Sequence, residues 1–187
     1  IGFLMNNESK INLDEIIKNS QKIKLKPLNM IAKNNKDEKF ESIAFNEVSL
    51  MRQTHQAAKI KIEINGIERM KELICDGILV STAAGSTAYN LSAHGSIIPL
   101  ESKLLALTPI SAFRPRRWRG ALLSEKTKIR FFIKNSNDRA VSVTADHHEF
   151  RNIKEVEITS AEDLSFDLLF DSNHSMEERI LKEQFFS

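Results

Sequence analysis

The feature that most constrains this chain is the run of residues 75–100, CDGILVSTAAGSTAYNLSAHGSIIPL. Its apolar trio Ile78-Leu79-Val80 has the length and part of the β-branched character of a buried strand. Small and hydroxylated residues follow, from Ser81 to Thr87, around one glycine, Gly85. A helix-like segment over residues 88–94 then closes at Gly95. A strand, a tight small-residue turn and a helix start together suit a polar ligand. The first N–H groups of a helix are unpaired and attract hydroxyls, ring nitrogens or phosphates. Small side chains let the ligand come close to the backbone. Many proteins carry such a unit without binding anything, so the rest of the chain has to supply the specificity.

The chain has 187 residues, enough for one good-sized core, or one core plus a small appendage. Hydrophobic residues make up 41% and charged residues 28%, which fits a globular chain and not a disordered one. No apolar run approaches the ~18 residues of a membrane span, and no basic segment leads into an apolar signal core. Cys75 is the single cysteine, which excludes an internal disulfide and fits a reducing compartment. The expectation is therefore a cytoplasmic protein with no membrane partner. The net charge of +2 does not single out nucleic acid. The chain opens on Ile1-Gly2-Phe3-Leu4, which reads like the inside of a fold, so it is expected to be a piece of a longer one.

Patterning elsewhere is mostly β. A short helix is expected over residues 12–20, capped by Asn12 with Glu15. Residues 21–28 alternate until Pro27 and read as one strand, and residues 32–41 as an exposed loop or hairpin tip. Residues 42–51 read as a strand carrying Asn46-Glu47. Ile60, Ile62 and Ile64 alternate with Lys61 and Glu63 before Asn65-Gly66, the strongest hairpin signal present, and residues 67–70 form the return strand. Residues 104–110 are apolar and buried, and residues 114–119, RPRRWR, form a basic loop. Strands recur at 128–133, 140–144, 155–158 and 164–170. A last helix over residues 175–186 starts at the Ser175–Glu178 capping box, with Met176, Ile180, Leu181 and Phe185 in one stripe. Regular short strands with turns between them predict a β-sandwich or layered sheet.

Few residues suggest chemistry. Successive strand side chains point to opposite faces, so Asn46 and Glu47 reach one ligand only at a strand end or bulge. As an amide and a carboxylate, they suit ribose hydroxyls or a purine edge. Asp76 either closes a turn or accepts from a ligand amide. Tyr89, the only tyrosine, offers a face for stacking on a heterocycle. Asp146-His147-His148-Glu149 lacks the i, i+4 spacing of a helical metal pair, so no metal is expected there. A hydrogen bond from one of these histidines to a ligand is the better reading. The arginine loop can grip a phosphate, but no basic stripe extends it toward nucleic acid. Walker A, GxGxxG and GxSxG motifs are all missing from the sequence.

The central run resembles the signature of the NAD kinases, a segment close to DGxxVxTPxGSTAYxLSAxGP. Here it reads Asp76-Gly77, Val80, Thr82, Gly85-Ser86-Thr87-Ala88-Tyr89, Leu91-Ser92-Ala93 and Gly95. Asn46-Glu47 matches the family's Asn-Glu motif, and Gly2-Phe3-Leu4 the GFL after its N-terminal catalytic motif. FRPRRWRGALL and HSMEERILKEQF look like the alphaproteobacterial branch. Ala83, His94 and Ser96 depart from the usual Pro, Gly and Pro. The family's GGDG motif, with its proposed general-base aspartate, does not occur in the sequence.

The resemblance implies a mainly β fold: the β-sandwich C-terminal domain of an NAD kinase, with short helices and remnants of the α/β N-terminal domain. Residues 1–22 would end that N-terminal domain, 23–172 form the NAD-binding sandwich, and 173–187 supply a helix packing back. The implied reaction moves the γ-phosphate of ATP to the 2′-hydroxyl of the adenosine ribose of NAD, with Mg²⁺ or another divalent cation, giving NADP. Positioning and charge stabilisation carry most of such a transfer. The implied NAD site comprises Asn46, Glu47, Asp76, Ala84, Thr87, Ala88, Tyr89, Asn90, Leu91, Ser92 and His147, with no catalytic residue in this chain. Asn46 and Glu47 would hold the adenosine moiety, and Thr87 and Ala88 would line the adenine site with Ala84 close by. Tyr89 would stack. Asp76 and Ser92 would hold the nicotinamide riboside side, and His147 would contact it from a neighbouring strand. Alone, the chain would bind NAD without turnover, and a dimer or tetramer is implied. The alternative is a non-catalytic NAD(P)-binding or oligomerisation module. The related lipid kinases share the superfamily fold, but the intact TAYxLS segment argues against them.

Overall fold

Fourteen strands are named in the computed structural model, which describes residues 14, 17, 18, 20–170 and 185. They are β1 Gln21–Leu25, β2 Leu28–Asn34, β3 Lys39–Ala44, β4 Glu47–Arg52, β5 Ala58–Ile64, β6 Ile67–Cys75 and β7 Gly77–Ser81, followed by β8 Leu104–Ile110, β9 Ala121–Ser124, β10 Ile129–Ile133, β11 Val141–Ala145, β12 His148–Phe150, β13 Ile153–Ser160 and β14 Phe166–Phe170. One antiparallel sheet runs β3-β2-β13-β10-β5-β6, and a second runs β12-β11-β4-β7-β8-β9. β1 and β14 pair separately as a two-stranded ribbon.

Alternation explains why the two sheets face each other. Ile60, Ile62, Phe131, Val156 and Met30 from the first sheet meet Val48, Leu50, Ile78, Val80, Leu107 and Val143 from the second in one core. Each such side chain contributes about 1.5–3 kcal/mol by leaving water. The intervening residues of the first sheet stay at the surface as ion pairs: Arg130 faces Glu63, Glu155 and Glu157, and Lys61 faces Glu63. The expected β-sandwich is therefore present.

Local expectations hold unevenly. Asn65 and Gly66 take φ of 53° and 77°, as a tight hairpin turn requires, and β6 returns beside β5. Residues 21–28 are not one strand. The chain turns at Lys26-Pro27, because proline cannot donate to a ladder, and β1 and β2 enter different sheets. Residues 32–41 are not mainly loop either. Only 35–38 turn, and Asn34 Oδ1 closes that turn by accepting from the Lys36 and Glu38 amides. The strand expected over 42–51 breaks at Phe45-Asn46, so that β3 and β4 lie in different sheets. The helix expected over 88–94 shrinks to four residues, Tyr89–Ser92, after a 3₁₀ turn at Ala84–Thr87. Asp14, Ile17 and Lys18 are helical, as is the exposed Phe185; the rest of those two expected helices lies outside the described residues.

β7 explains the position of the small-residue run. All five of its residues are buried. Ile78 and Val80 face the sandwich core, while Leu79 faces outward yet is fully buried. The 3₁₀ turn and the short helix beyond the strand lie against β7, and Ala83, Ala84, Ile98 and Leu100 pack with Ala106 of β8 and with Ile23 and Leu25 of β1 in a second apolar cluster. The chain from Thr82 to Leu100 thus folds back over the outer face of the second sheet.

Candidate functional site

The outer face of the second sheet carries a polar set inside an apolar framework. Register places Glu47 opposite Ser81, Ser49 opposite Leu79, Met51 opposite Gly77 and Thr108 opposite Leu79, with Ser142 and Thr144 beside β4. Ser49, Ser81, Thr108 and Ser142 are all buried. Four of the positions on this face are thus short, buried hydroxylated side chains.

Asn46 and Glu47 sit at a strand end: Glu47 opens β4 and Asn46 immediately precedes it. Asp146 makes the bend. Its carboxylate accepts the backbone N–H of Phe45 (2.6 Å), Asn46 (2.9 Å) and Glu47 (3.2 Å), and its own N–H donates to the Glu47 carbonyl (3.1 Å). Asp146 occupies the left-handed region, φ 51°, in the two-residue turn between β11 and β12. From the other side Thr82 closes on the same bend: its N–H donates to the Asn46 carbonyl (2.9 Å) and its hydroxyl to the Phe45 carbonyl (2.7 Å). Gly85 lies directly over Asn46, where a Cβ would stand 2.2 Å from the Asn46 carbonyl oxygen.

Glu47 is the electrostatic centre. Burial, with the Asp146 charge adding, pushes its carboxyl up to about 7. Its Oε2 is buried and has no hydrogen-bond partner among the described residues. Such an orphaned acceptor costs about 1–3 kcal/mol unless a ligand donor meets it. Tyr89 lies nearby. Its hydroxyl is 3.5 Å from Met51 Sδ, and burial raises the phenol above its usual range, with Glu47 and Asp76 adding to the rise. Asp76, the one residue between β6 and β7, accepts from Arg52 Nε at 2.6 Å. Glu47 and Asp76 thus both lie within electrostatic reach of the Tyr89 phenol.

The other expected site residues fall into four groups. Thr87 is half-buried and Ala88 exposed on the rim of the small-residue turn, so both are open to a ligand, while Ala84 is buried in the second apolar cluster. Asn90, also expected in the site, turns its side chain inward. Its side chain is fully buried, with Nδ2 donating to the Ser86 and Ser96 carbonyls (3.0 Å each) and Oδ1 accepting from Thr108 (2.7 Å). A short helix with no side-chain cap needs this brace, so Asn90 holds the turn onto β8. Leu91 is half-buried, and Ser92 lines a cleft of about 290 Å³ with His94, Ile110, Trp118 and Arg119. The Asp76 N–H donates to the Ile110 carbonyl (3.1 Å), which joins that cleft to the site. His147 is not on a strand. It is exposed in the β11–β12 turn, with its ring 4.0 Å from that of His148, because the hairpin loop has only the two residues Asp146 and His147.

Asp146 and Arg52 were missed as site residues. The signals for Asp146 were weak: an acidic residue ahead of two histidines reads first as a metal candidate or a turn. Among the described residues no group of three or more His, Cys, Asp or Glu is placed to hold a metal ion. A larger cleft of about 300 Å³, lined by Lys24, Lys26, Leu100, Lys103 and Glu125 among others, contains none of the expected site residues. Cys75 is buried, and burial, with Asp76 adding, pushes its thiol up to about 12, so it is no nucleophile.

Fold and site define a two-sheet β protein whose outer sheet face carries an unpartnered buried carboxylate oxygen of Glu47, with Tyr89 and Asp76 nearby and a glycine turn beside them. Residues 45–164 match the ATP-NAD kinase C-terminal domain family. An NAD kinase of Rickettsia bellii is 54% identical over 185 residues, covering 99% of this chain and 72% of that protein. One of Xylella fastidiosa is 53% identical, covering 99% and 71%. The chain belongs to the NAD kinase family, transferases that phosphorylate NAD. Two solved structures share the fold at 22% identity. Yeast NADH kinase complexed with NADH gives a TM-score of 0.76 over 90% of this chain and 49% of its own. An Archaeoglobus fulgidus NAD kinase in complex with ATP gives 0.68 over 87% and 60%. Among the described residues no helix is long and apolar enough to cross a membrane.

Proposed function

We propose that residues 23–172 form the NAD-binding domain of an NAD kinase that transfers the γ-phosphate of ATP to the 2′-hydroxyl of the adenosine ribose of NAD. The observation that carries the assignment of the site is the unsatisfied Oε2 of Glu47, held at the bent strand end that Asn46 precedes. Two neighbouring ribose hydroxyls are the donors such a carboxylate lacks. Thr87 and Ala88 line the adenine side, and Tyr89 lends its ring to stacking. Asp76 accepts from the carboxamide of the nicotinamide end, with Ser92 and His147 at the rim. ATP is the phosphate donor, and a divalent cation arrives on its phosphates as part of that substrate. The NADH and ATP in the two solved relatives support a nucleotide ligand for this fold. A general-base aspartate of the GGDG type is not in this sequence, so this chain alone binds NAD without turning it over, and the working enzyme is a dimer or tetramer.

Titration calorimetry of the chain with NAD tests the reading. Saturable binding of NAD is expected, and Tyr89→Ala should weaken it by about 1–3 kcal/mol. A folded wild-type chain that gives no heat with NAD, or a folded Tyr89→Ala variant of unchanged affinity, contradicts the assignment.

A further inference from the structure

Arg52 is the last residue of β4 and takes hold of Asp76 twice. Its Nε donates to Asp76 Oδ1 at 2.6 Å, and its backbone N–H donates to the Asp76 carbonyl at 2.9 Å. Its Nη1 is anchored in turn on the Thr54 carbonyl. A planar guanidinium tied at two points cannot swing away, so Asp76 Oδ1 is held in one place. The two side chains are only about one-third exposed, at 33% and 38%, so this pair is neither a surface contact nor fully desolvated. The contact from Arg52 falls on Oδ1, and the Asp76 carboxylate lies within electrostatic reach of the Tyr89 phenol. One oxygen is therefore clamped, which also fixes the direction of the second.

We propose that Arg52 is a positioning residue that orients Asp76 toward the amide end of the dinucleotide and so sets how much that end adds to binding. The proposal rests on the reading of Asp76 given above. A carboxylate clamped through one oxygen suits a ligand N–H₂ group. Arg52 acts only through Asp76, so it affects only the ligand group that Asp76 touches. Asn46, Glu47 and the small-residue turn lie beyond its hydrogen bonds, so the adenosine half of the ligand is untouched by its loss.

The test compares NAD with ADP-ribose, which keeps the adenosine half and lacks the nicotinamide, on the full chain by calorimetry. Wild type should bind NAD about tenfold or more tightly than ADP-ribose, the share of a hydrogen bond to a charged group. Arg52→Met should lose about tenfold for NAD and nothing for ADP-ribose. Arg52→Lys keeps the charge but not the fork, and should lose less, again for NAD alone; it decides the question if the methionine variant does not fold. Equal losses for both ligands would make Arg52 merely structural and overturn the proposal, as would unchanged NAD affinity. If wild type binds both ligands equally, the reading of Asp76 itself is wrong, and the role of Arg52 goes with it. That failure is separate from a failure of the NAD site, which would show as no binding of either ligand.

Discussion

At the scale of single residues, Glu47 and Asp146 govern the site. The folded chain holds the Glu47 proton up to about 7, against an ordinary 4.5. Folding therefore binds that proton more tightly than the unfolded chain does, and the stability it supports is lost as pH rises from about 4.5 to about 7. Glu47→Gln should match wild type in urea melts at pH 4 and exceed it at pH 8. Binding should show the opposite trade. NAD affinity should rise with pH through about 7 in wild type, as the carboxylate becomes available to ribose hydroxyls, and stay flat in Glu47→Gln. A pH-independent wild-type affinity would remove Glu47 from the ligand. Asp146 can be tested separately. Asp146→Ala leaves three backbone amides without their acceptor and should cost about 1–3 kcal/mol in denaturant melts. Asp146→Asn keeps an acceptor and tolerates the positive φ. It should lose less, and by removing the charge it should move the Glu47 midpoint below that of wild type, as read by carboxyl NMR titration.

At the scale of elements, the small-residue turn depends on backbone proximity. Gly85 lies where any side chain would enter the Asn46 carbonyl. A carbonyl in a hydrogen-bonded bend cannot step aside as a flexible side chain can. Gly85→Ala should therefore destabilise the chain by about 1–3 kcal/mol and weaken NAD binding further, since the same bend presents Asn46 and Glu47. Gly66 is the contrasting case. It has φ of 77°, and a Cβ there would meet nothing within 4 Å, so Gly66→Ala carries only the backbone cost of the left-handed region, about 1 kcal/mol, with NAD affinity unchanged. The two variants, compared in thermal melts and calorimetry, separate a turn that builds the site from a turn that only connects strands.

At the scale of the whole molecule, the two six-stranded sheets share one core, and Phe131 is among its largest fully buried side chains. Phe131→Ala should cost about 3–5 kcal/mol, seen as an earlier unfolding midpoint by circular dichroism. The sandwich class was legible in the sequence because strand alternation is local: Ile60, Ile62 and Ile64 declare a buried face whatever lies opposite. The Asn65-Gly66 hairpin was legible for the same reason, and so was the small-residue turn that carries Thr87, Ala88 and Tyr89, whose motif is contiguous. What stayed hidden depends on residues far apart in the chain. Asp146 reaches Asn46 across 100 positions, Thr82 across 36, and Arg52 reaches Asp76 across 24. Nothing local to Asn90 announces that Thr108 and Ser96 will occupy its amide. The sequence by itself determined the sandwich class, the alternating buried face of β5, the Asn65-Gly66 hairpin, the small-residue turn and the family those motifs belong to. Only the tertiary structure decided which polar atoms are already satisfied and which remain open, because hydrogen-bond partners and burial are set by register between strands that are distant in sequence.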